Sequence, residues 1–347
     1  MMEVVRVDWD NRDQVGRWQA FLNQRPDSNY SDLPPFRPFF RLLYGHRDFS
    51  FLCLDGGSTV GACSLYKIES PFLGRQLVSA PFFGRGGFYC DCEEGRRMLL
   101  ATVTEEAEKQ GVDFVEIRQL QPMAPRWKQN SAFSEFDLSL DHSLEDVWKV
   151  GLSSNARQNV RKSRKQGLRF DLSNDPEATY RLLSQTIRDL GTPFHGRRFF
   201  ELAVDLLADA VTFSRVWQGT RLVASAMVVR YRDSIATPYI GSLQQYRGRG
   251  ANYFHYWKLI EWAIDSGVTR FELGRSPKGS THQQFKLKWG AQERPAVYNY
   301  LTMPGRERSY RSVASPSGWF LAASPLWKRT PLLVTRAMGH HIFRFVP

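Results

Sequence analysis

IATPYIGSLQQYRGRGANYFHYWKLIEWAIDSGVTRFELGRSPKGSTHQQFKLKWG, residues 235–290, runs from strand signals through a glycine turn into a helical pattern. Residues 235–243 are β-branched, aromatic and small, the composition of a strand. Gln245-Tyr-Arg-Gly-Arg-Gly-Ala251 follows as a turn. Tyr253, Tyr256, Trp257, Ile260, Ala263 and Ile264 then recur at i, i+3, i+4, i+7, i+10 and i+11, one face of a helix, and Gly267 suits its end. The helix therefore starts at or just after Gly250. Glycines there let the backbone turn tightly and approach a ligand. The unpaired N–H groups and the positive dipole end favour an anion, and Arg247 and Arg249 add charge. The stretch reads as a pyrophosphate seat, with a plain basic surface turn as the alternative.

The pattern Gln245-x-x-Gly248-x-Gly250-Ala251 resembles the acyl-CoA-binding turn of GCN5-related acetyltransferases. That resemblance implies acyl-CoA as a co-substrate rather than a permanently bound cofactor, held by Gln245, Arg247, Gly248, Arg249, Gly250 and Ala251.

Working outward, 347 residues of which 42% are hydrophobic can bury a substantial core and most simply form two domains. A net charge of +12 favours acidic partners: a nucleotide-linked substrate, an acyl-CoA, RNA or an anionic lipid surface. The cysteines, Cys53, Cys63, Cys90 and Cys92, show neither C-x-x-C spacing nor a disulfide-dense pattern, which fits a reduced, cytoplasmic setting. Cys90 and Cys92 lack nearby histidines, so no metal site is expected. With no apolar leader at MMEVVRVDWD and no run of 18 apolar residues, membrane contact is expected to be peripheral only.

The chain in order gives a strand at 3–7, helices at 11–23 and to about Gly45, and strands 49–54 and 59–68 about Asp55-Gly56-Gly57-Ser58. A strand at about 75–81, a helix at 93–110, the strand VDFVEIR, a short helix near 124–129 and a strand at 132–140 follow. An arginine-rich helix at 143–166 opens the second half, which continues with strand 168–172, helices 176–190 and 197–209, and strands 211–218, 221–231 and 234–243. Helix 251–266, strand 269–273, a short helix near 281–288 and strand 296–302 complete it. Both halves thus repeat one order of elements, a tandem α/β unit, with glycine turns at 84–87 and 248–250 where open α/β sheets bind ligands. The expected boundaries are 1–141, 142–303 and a tail at 304–347.

At this point LVSAPFFGRGGFYCD, ARQNVRKSRKQGL, IRDLGTPFHGRRFF, YIGS, ANYFHYW, FELGRSPKGS, FKLKWG and the Trp/Arg-rich tail resemble, over nearly the whole chain, the FemAB-related proteins of exosortase/PEP-CTERM exopolysaccharide systems. Those belong with the Fem aminoacyltransferases of peptidoglycan bridge formation. The resemblance implies an α/β fold of two tandem GCN5-related N-acetyltransferase-like domains with mixed sheets. It also implies an acyltransferase acting on a sugar-containing or lipid-linked acceptor, with acyl-CoA or aminoacyl-tRNA as donor and polysaccharide biosynthesis proteins as partners. Where the family has Asp this chain has Glu272, and where it has an aromatic residue after Trp-Gly this chain has Ala291. The coiled-coil arm of some Fem enzymes is missing, which weakens the tRNA donor.

Lys286 aligns with a Phe-Lys similar to the lysine implicated in Fem transfer, where an ammonium can stabilise an oxyanion or hold phosphates; the alternative is a solvated lysine. Glu272 can deprotonate an attacking amine or hydroxyl, or simply pair with Arg275. His255 lies on the helix flank, as a secondary candidate base or a satisfied core imidazole. Arg275 and Ser276 suit anchoring of phosphate or carbonyl oxygens. His195 in its Gly/Pro-shaped turn, and Tyr239 and Ser242 on the strand before the glycine turn, are candidate substrate contacts, as is Trp289 in the matched FKLKWG motif. Arg157, Arg161 and Arg164 share a helix face with no acid from 147 to 170, a candidate phosphate grip. Phe82, Gly84 and Gly86 resemble a Fem loop that helps hold the acceptor; a connection needing glycine for its turn is the alternative. A non-catalytic subunit of a polysaccharide assembly complex and a general RNA binder stay open.

Beyond Pro304 the tail offers Trp319, Phe320, Leu326 and Trp327 as aromatic and apolar anchors. Val334, Met338, Ile342 and Phe345 form a stripe opposite Arg329, Arg336, His340 and Arg344. That pattern suits an anionic interface or, equally, a strap packed back on the core.

Overall fold

The β-hairpins, amphipathic helices and glycine stops take shape in a computed structural model that describes residues 1–71, 73–306 and 318–345, with backbone only at 318–323. The chain divides into two compact units: 1–131 with 296–318 and 344–347, and 132–295 with 319–343.

The first unit contains β1 (Met2–Arg6), α1 (Arg12–Asn23), α2 (Phe36–Tyr44), β2 (Arg47–Asp48), β3 (Phe51–Asp55), β4 (Ser58–Cys63), β5 (Tyr66–Ser70), β6 (Gly74–Val78), β7 (Phe88–Cys90), α3 (Glu93–Lys109) and β8 (Phe114–Gln119). Strands β1-β3-β4-β7 form an antiparallel sheet. Alternation along β3 explains its sandwiching: Phe51 and Cys53 join Leu99 and Val103 of α3, while Leu52 joins Trp18, Phe21 and Leu22 of α1. In the remaining strands β5 is antiparallel to β6, and β6 is parallel to β8.

The second unit holds β9 (Lys128–Ser139), α4 (Leu144–Asp146), α5 (Ser154–Arg164), β10 (Leu168–Ser173), α6 (Pro176–Leu190), α7 (Arg197–Leu207), β11 (Val211–Gln218), β12 (Arg221–Tyr231), β13 (Ser234–Ser242), α8 (Gln244–Arg247), α9 (Ala251–Asp265), β14 (Arg270–Pro277) and α10 (Thr281–Leu287). Next come β15 (Gln292–Thr302), whose residues 296–302 belong to the first unit, and α11 (Gly318–Arg329) and α12 (Leu332–Phe343). Its sheet runs β10-β11-β12-β13-β14-β9 and is mixed, because β13 and β14 are parallel and their neighbours antiparallel. Tyr256, Trp257, Leu259, Ile260 and Ala263 of α9 bury against Phe136, Ile235 and Phe271 of the sheet and Ala156 and Val160 of α5. Each large apolar side chain so buried contributes roughly 1.5–3 kcal/mol.

Several expectations are corrected. Residues 132–139 pair with β14 and belong to the second unit, and 297–302 pair with β8 and belong to the first, so the units do not follow the expected 1–141 and 142–303. No helix forms at 124–129, where Trp127 is buried in the first unit's core and β9 begins at Lys128. Strand 59–68 is two strands, β4 and β5. The helix expected over 143–166 is broken at Leu152 and Ser153: a π-helical turn, Val147–Gly151, ends there and Ser153 caps α5. Of the tail expected at 304–347, residues 307–317 lie outside the described residues, as do the side chains of Trp319 and Phe320.

Candidate functional site

The second unit's sheet opens where β13 and β14 stop pairing. Their parallel ladder covers only Ser234 to Ala236 against Arg270 to Glu272; beyond it β13 continues on β12 and β14 on β9. Both strands carry a bulge at this point. On β13, Thr237 and Pro238 oppose Val228 between the Met227–Tyr239 and Val229–Ala236 pairs. On β14, Leu273 is inserted between the pairs made by Glu272 and Gly274, and Gly274 adopts φ +71°. Bulges bend strands and end pairing. Pro238 has no N–H to offer across the gap. Thr237 Oγ1 and Ser242 Oγ on β13 are buried with no hydrogen-bond partner among the described residues.

Lys286 sits on the β14 side. Its Nζ donates to Gly274 O at 2.7 Å and Arg275 O at 2.9 Å, the carbonyls just past the bulge, and stands 5.1 Å from the Phe136 ring centroid. It is buried, not solvated. Burial pulls its pKa down to about 7, partly offset by the Glu135 carboxylate, while Arg275 pushes in the same direction as burial. Glu135 was not singled out from the sequence, because it lies on a strand expected to belong to the other half.

Glu272 is the last residue of β14 paired with β13 and is buried. Its carboxylate forms an ion pair with Arg270 at 3.4 Å. Arg275 stands over Phe133 and Ser276 is buried beside it.

The glycine turn follows β13 directly. Gln245 and Arg247 lie on α8, Gly248 ends it, and Gly250, at φ +76°, starts α9 with no side-chain cap. The first N–H groups of α9, from buried Ala251 onward, therefore have no capping side chain, the arrangement that suits an anion. Gly248 has ordinary φ and open space where a Cβ would lie, whereas a Cβ on Gly250 would be 3.0 Å from Ser163 Cβ on α5. Arg249 donates to Gln218 Oε1 at 2.9 Å and stands over Tyr246.

Two of the expected site residues are fully buried core residues, and two arginines of the stripe are engaged within the protein. His255 is fully buried, shares a 2.7 Å hydrogen bond between Nε2 and Ser214 Oγ, and is pulled by burial to a pKa of about 3. It is a core imidazole rather than a base facing substrate. Trp289 is fully buried and stacked with Tyr256, so it fills the core instead of touching a ligand. Arg157 donates to the carbonyls of Trp148, Lys149 and Leu152 and so caps the π-helical turn. Arg164 pairs with Glu261 at 2.8 Å and stands over Trp148 and Trp257. Arg161, over Trp148, is exposed, as is Arg164 despite its ion pair. The sequence showed the shared face but not that acceptors on 148–152 and α9 would occupy it. Arg157→Ala should accordingly lower stability by about 1–3 kcal/mol in denaturant unfolding. Donor and acceptor affinities of the folded fraction should stay unchanged.

His195 is also buried. Its ring stacks on Phe199 at 3.7 Å, meets Phe343 edge-on at 4.4 Å and shares a 2.6 Å hydrogen bond between Nε2 and Tyr239 Oη. Burial, with His340 adding to it, holds its pKa well below the usual histidine range, and burial likewise raises that of Tyr239. His195 thus positions Tyr239, which is half-buried on β13 beyond the bulge.

The first unit has a separate cavity of about 270 Å³, lined by Arg25, Asp27, Arg85, Gly86, Tyr89 and Arg96 among others. Gly86, at φ +135°, leaves no room for a Cβ beside Ser31. Phe82 instead packs on Phe40, Tyr44 and His46, away from this lining, and Gly84 is not part of it. Arg25 and Arg96, distant in sequence from the loop, gave no motif. Among the described residues no group of three or more His, Cys, Asp or Glu could hold a metal ion.

A family model described as an acetyltransferase (GNAT) domain matches residues 152–287, the span that contains α5, the parting strands, the glycine turn and Lys286. Among solved structures the fold is similar to FemX, with a TM-score of 0.68 and 14% identity over 90% of this chain and 100% of that one. It is similar to a tandem GNAT protein from the clavulanic acid biosynthesis pathway, with a TM-score of 0.57 and 11% identity over 86% and 98%. It is also similar to L-PGS from Bacillus licheniformis, with a TM-score of 0.55 and 13% identity over 96% and 97%. No curated protein matches at the sequence level. The chain has a mixed α/β, tandem GNAT-like fold with a FemX structure among its neighbours.

Proposed function

We propose that the protein transfers an acyl group from acyl-CoA to an amine or hydroxyl of a sugar-containing cell-envelope or exopolysaccharide precursor. The observation that carries this reading is the parting of β13 and β14 at paired bulges, with the uncapped start of α9 following one strand and Lys286 bonded to the other. An extended thioester arm can hydrogen-bond to the backbone edges there while its pyrophosphate meets the N–H groups of α9 beside Arg247.

Attack by the acceptor's nitrogen or oxygen on the thioester carbon builds an oxyanion, and the C–S bond then breaks to release CoA thiolate. Lys286, in its protonated form, is the cation suited to that oxyanion. Glu272, where the strands separate, is the carboxylate that would take the acceptor's proton. Holding both substrates in one complex supplies much of the acceleration without a covalent enzyme intermediate.

The first unit's arginine-lined cavity suits an anionic part of the acceptor. Replacing Arg25 and Arg96 together with Ala should raise the acceptor's KM by at least about tenfold while leaving the CoA affinity as it was. An aminoacyl-tRNA donor is the second reading, favoured by the +12 charge and the resemblance to Fem aminoacyltransferases. Mass spectrometry of the protein incubated with both donor classes and extracted lipid-linked sugars tests the proposal. An acyl adduct from CoA thioesters supports it, and transfer from aminoacyl-tRNA alone replaces it.

A further inference from the structure

The second of the C-terminal helices, α12, is seated on α6 with polar and small residues inward. Arg336 of α12 donates from Nε to Ser184 Oγ at 2.9 Å and from its terminal nitrogen to Arg181 O at 3.1 Å. Thr335 and Gly339 are buried, and a Cβ on Gly339 would come within 2.8 Å of Phe194 O. Phe343 covers His195. Between the helices Thr330 O accepts from Arg188. The strap is therefore real, but its face is not the apolar stripe expected from the sequence. Val334 and Met338 point to solvent with 42% and 48% of their surface exposed, beside Leu333 at 80%, and Leu326 of α11 is 72% exposed.

A helix normally turns its apolar side chains to the core. Here hydrogen bonds of Arg336 and the close seat of Gly339 fix the reverse orientation, so Leu333, Val334 and Met338 cannot be buried by rotation without losing them. The tail's own charge has one sign, although Glu177 and Asp189 of α6, each paired with an arginine, lie nearby. From 308 to the end the sequence contains no Asp or Glu, while Lys328 and Arg329 are exposed between Leu326 and Leu333. No helix among the described residues is long and apolar enough to cross a membrane.

We infer that α11 and α12 form a platform that docks on an anionic lipid surface, with Leu326, Leu333, Val334 and Met338 entering the interface and Lys328 and Arg329 meeting headgroup phosphates. An apolar face alone would suit another protein equally; exposed Lys328 and Arg329 between its apolar residues, on a tail segment without acids, select an anionic bilayer. Docking and acyl transfer are separate claims, since none of these residues belongs to the β13–β14 site.

The test is flotation of the full chain with vesicles of phosphatidylcholine alone or mixed with phosphatidylglycerol. Wild type should float with the mixed vesicles and hardly with phosphatidylcholine. Lys328→Gln with Arg329→Gln should weaken this by about 30-fold at low salt, from roughly 1 kcal/mol per basic residue. Leu333→Asp with Met338→Asp should abolish it with unchanged melting temperature, because both side chains are exposed. Failure of wild type to float, or flotation unaffected by both double variants, overturns the inference. So does a dimer of wild type that the aspartates dissociate, which would assign the face to a second copy.

Discussion

Lys286→Ala should lower kcat by about 10²–10³-fold, the usual loss when one donor to a developing oxyanion is removed, with the KM for the thioester changed little. The expectation follows from where the ammonium is fixed. Two of its N–H bonds are committed to Gly274 O and Arg275 O, and burial against Phe136 excludes competing water. The same burial sets a pH signature. With a pKa near 7, the cation is half present at neutrality, so kcat should fall about tenfold per unit above that value as the ammonium is lost. For stability the sign is opposite. The folded pKa lies below the ordinary lysine value of 10.5, so the unfolded chain holds the extra proton between about 7 and 10.5. Stability should therefore rise with pH across that window and level off below it. Lys286→Met should flatten that dependence in urea titrations at several pH values. A variant with full kcat and an unaltered pH profile would reduce Lys286 to a clamp on the β14 bulge.

The second large effect is at the glycine turn. Gly248→Asp should weaken CoA-thioester binding by at least about tenfold, since it sets a negative charge near an anion seat worth a charged hydrogen bond or more. Its melting temperature should not move, because the backbone there is ordinary and the space open. Gly250→Asp is a poor probe: it forces a side chain into φ +76° and against Ser163. Gly250→Ala alone should cost about 1 kcal/mol or more of stability through strain. Calorimetric titration of both variants separates the roles of the two glycines.

The elements that the sequence revealed well are those set by local chemistry. Helix α6 begins at Pro176 behind the Asp175 cap and stops at Gly191, as its residues announce, and α9 starts at Gly250 for the same kind of reason. The site's geometry was less legible because it depends on pairing between distant strands. Pro238 within β13 and Gly274 within β14 were the visible signs of bulges. Only the register shows that they fall at the same level and part the strands. Lys286 was found by resemblance, but its near-neutral pKa depends on burial and on Glu135, 151 residues earlier by their numbers. His255 and Trp289 looked like site residues because polar and aromatic groups in a matched motif serve a core as readily as a ligand. The tail's amphipathic stripe left two orientations open, outward to an interface or inward as a strap, since periodicity cannot tell that Arg336 would find Ser184 and leave Val334 and Met338 exposed.

The most direct test of the account is amide hydrogen exchange with and without a saturating CoA thioester. It predicts protection confined to 237–242 on β13, 248–254 at the start of α9 and 273–276 on β14. Absence of protection at all three segments, or protection by aminoacyl-tRNA and not by the thioester, would contradict it.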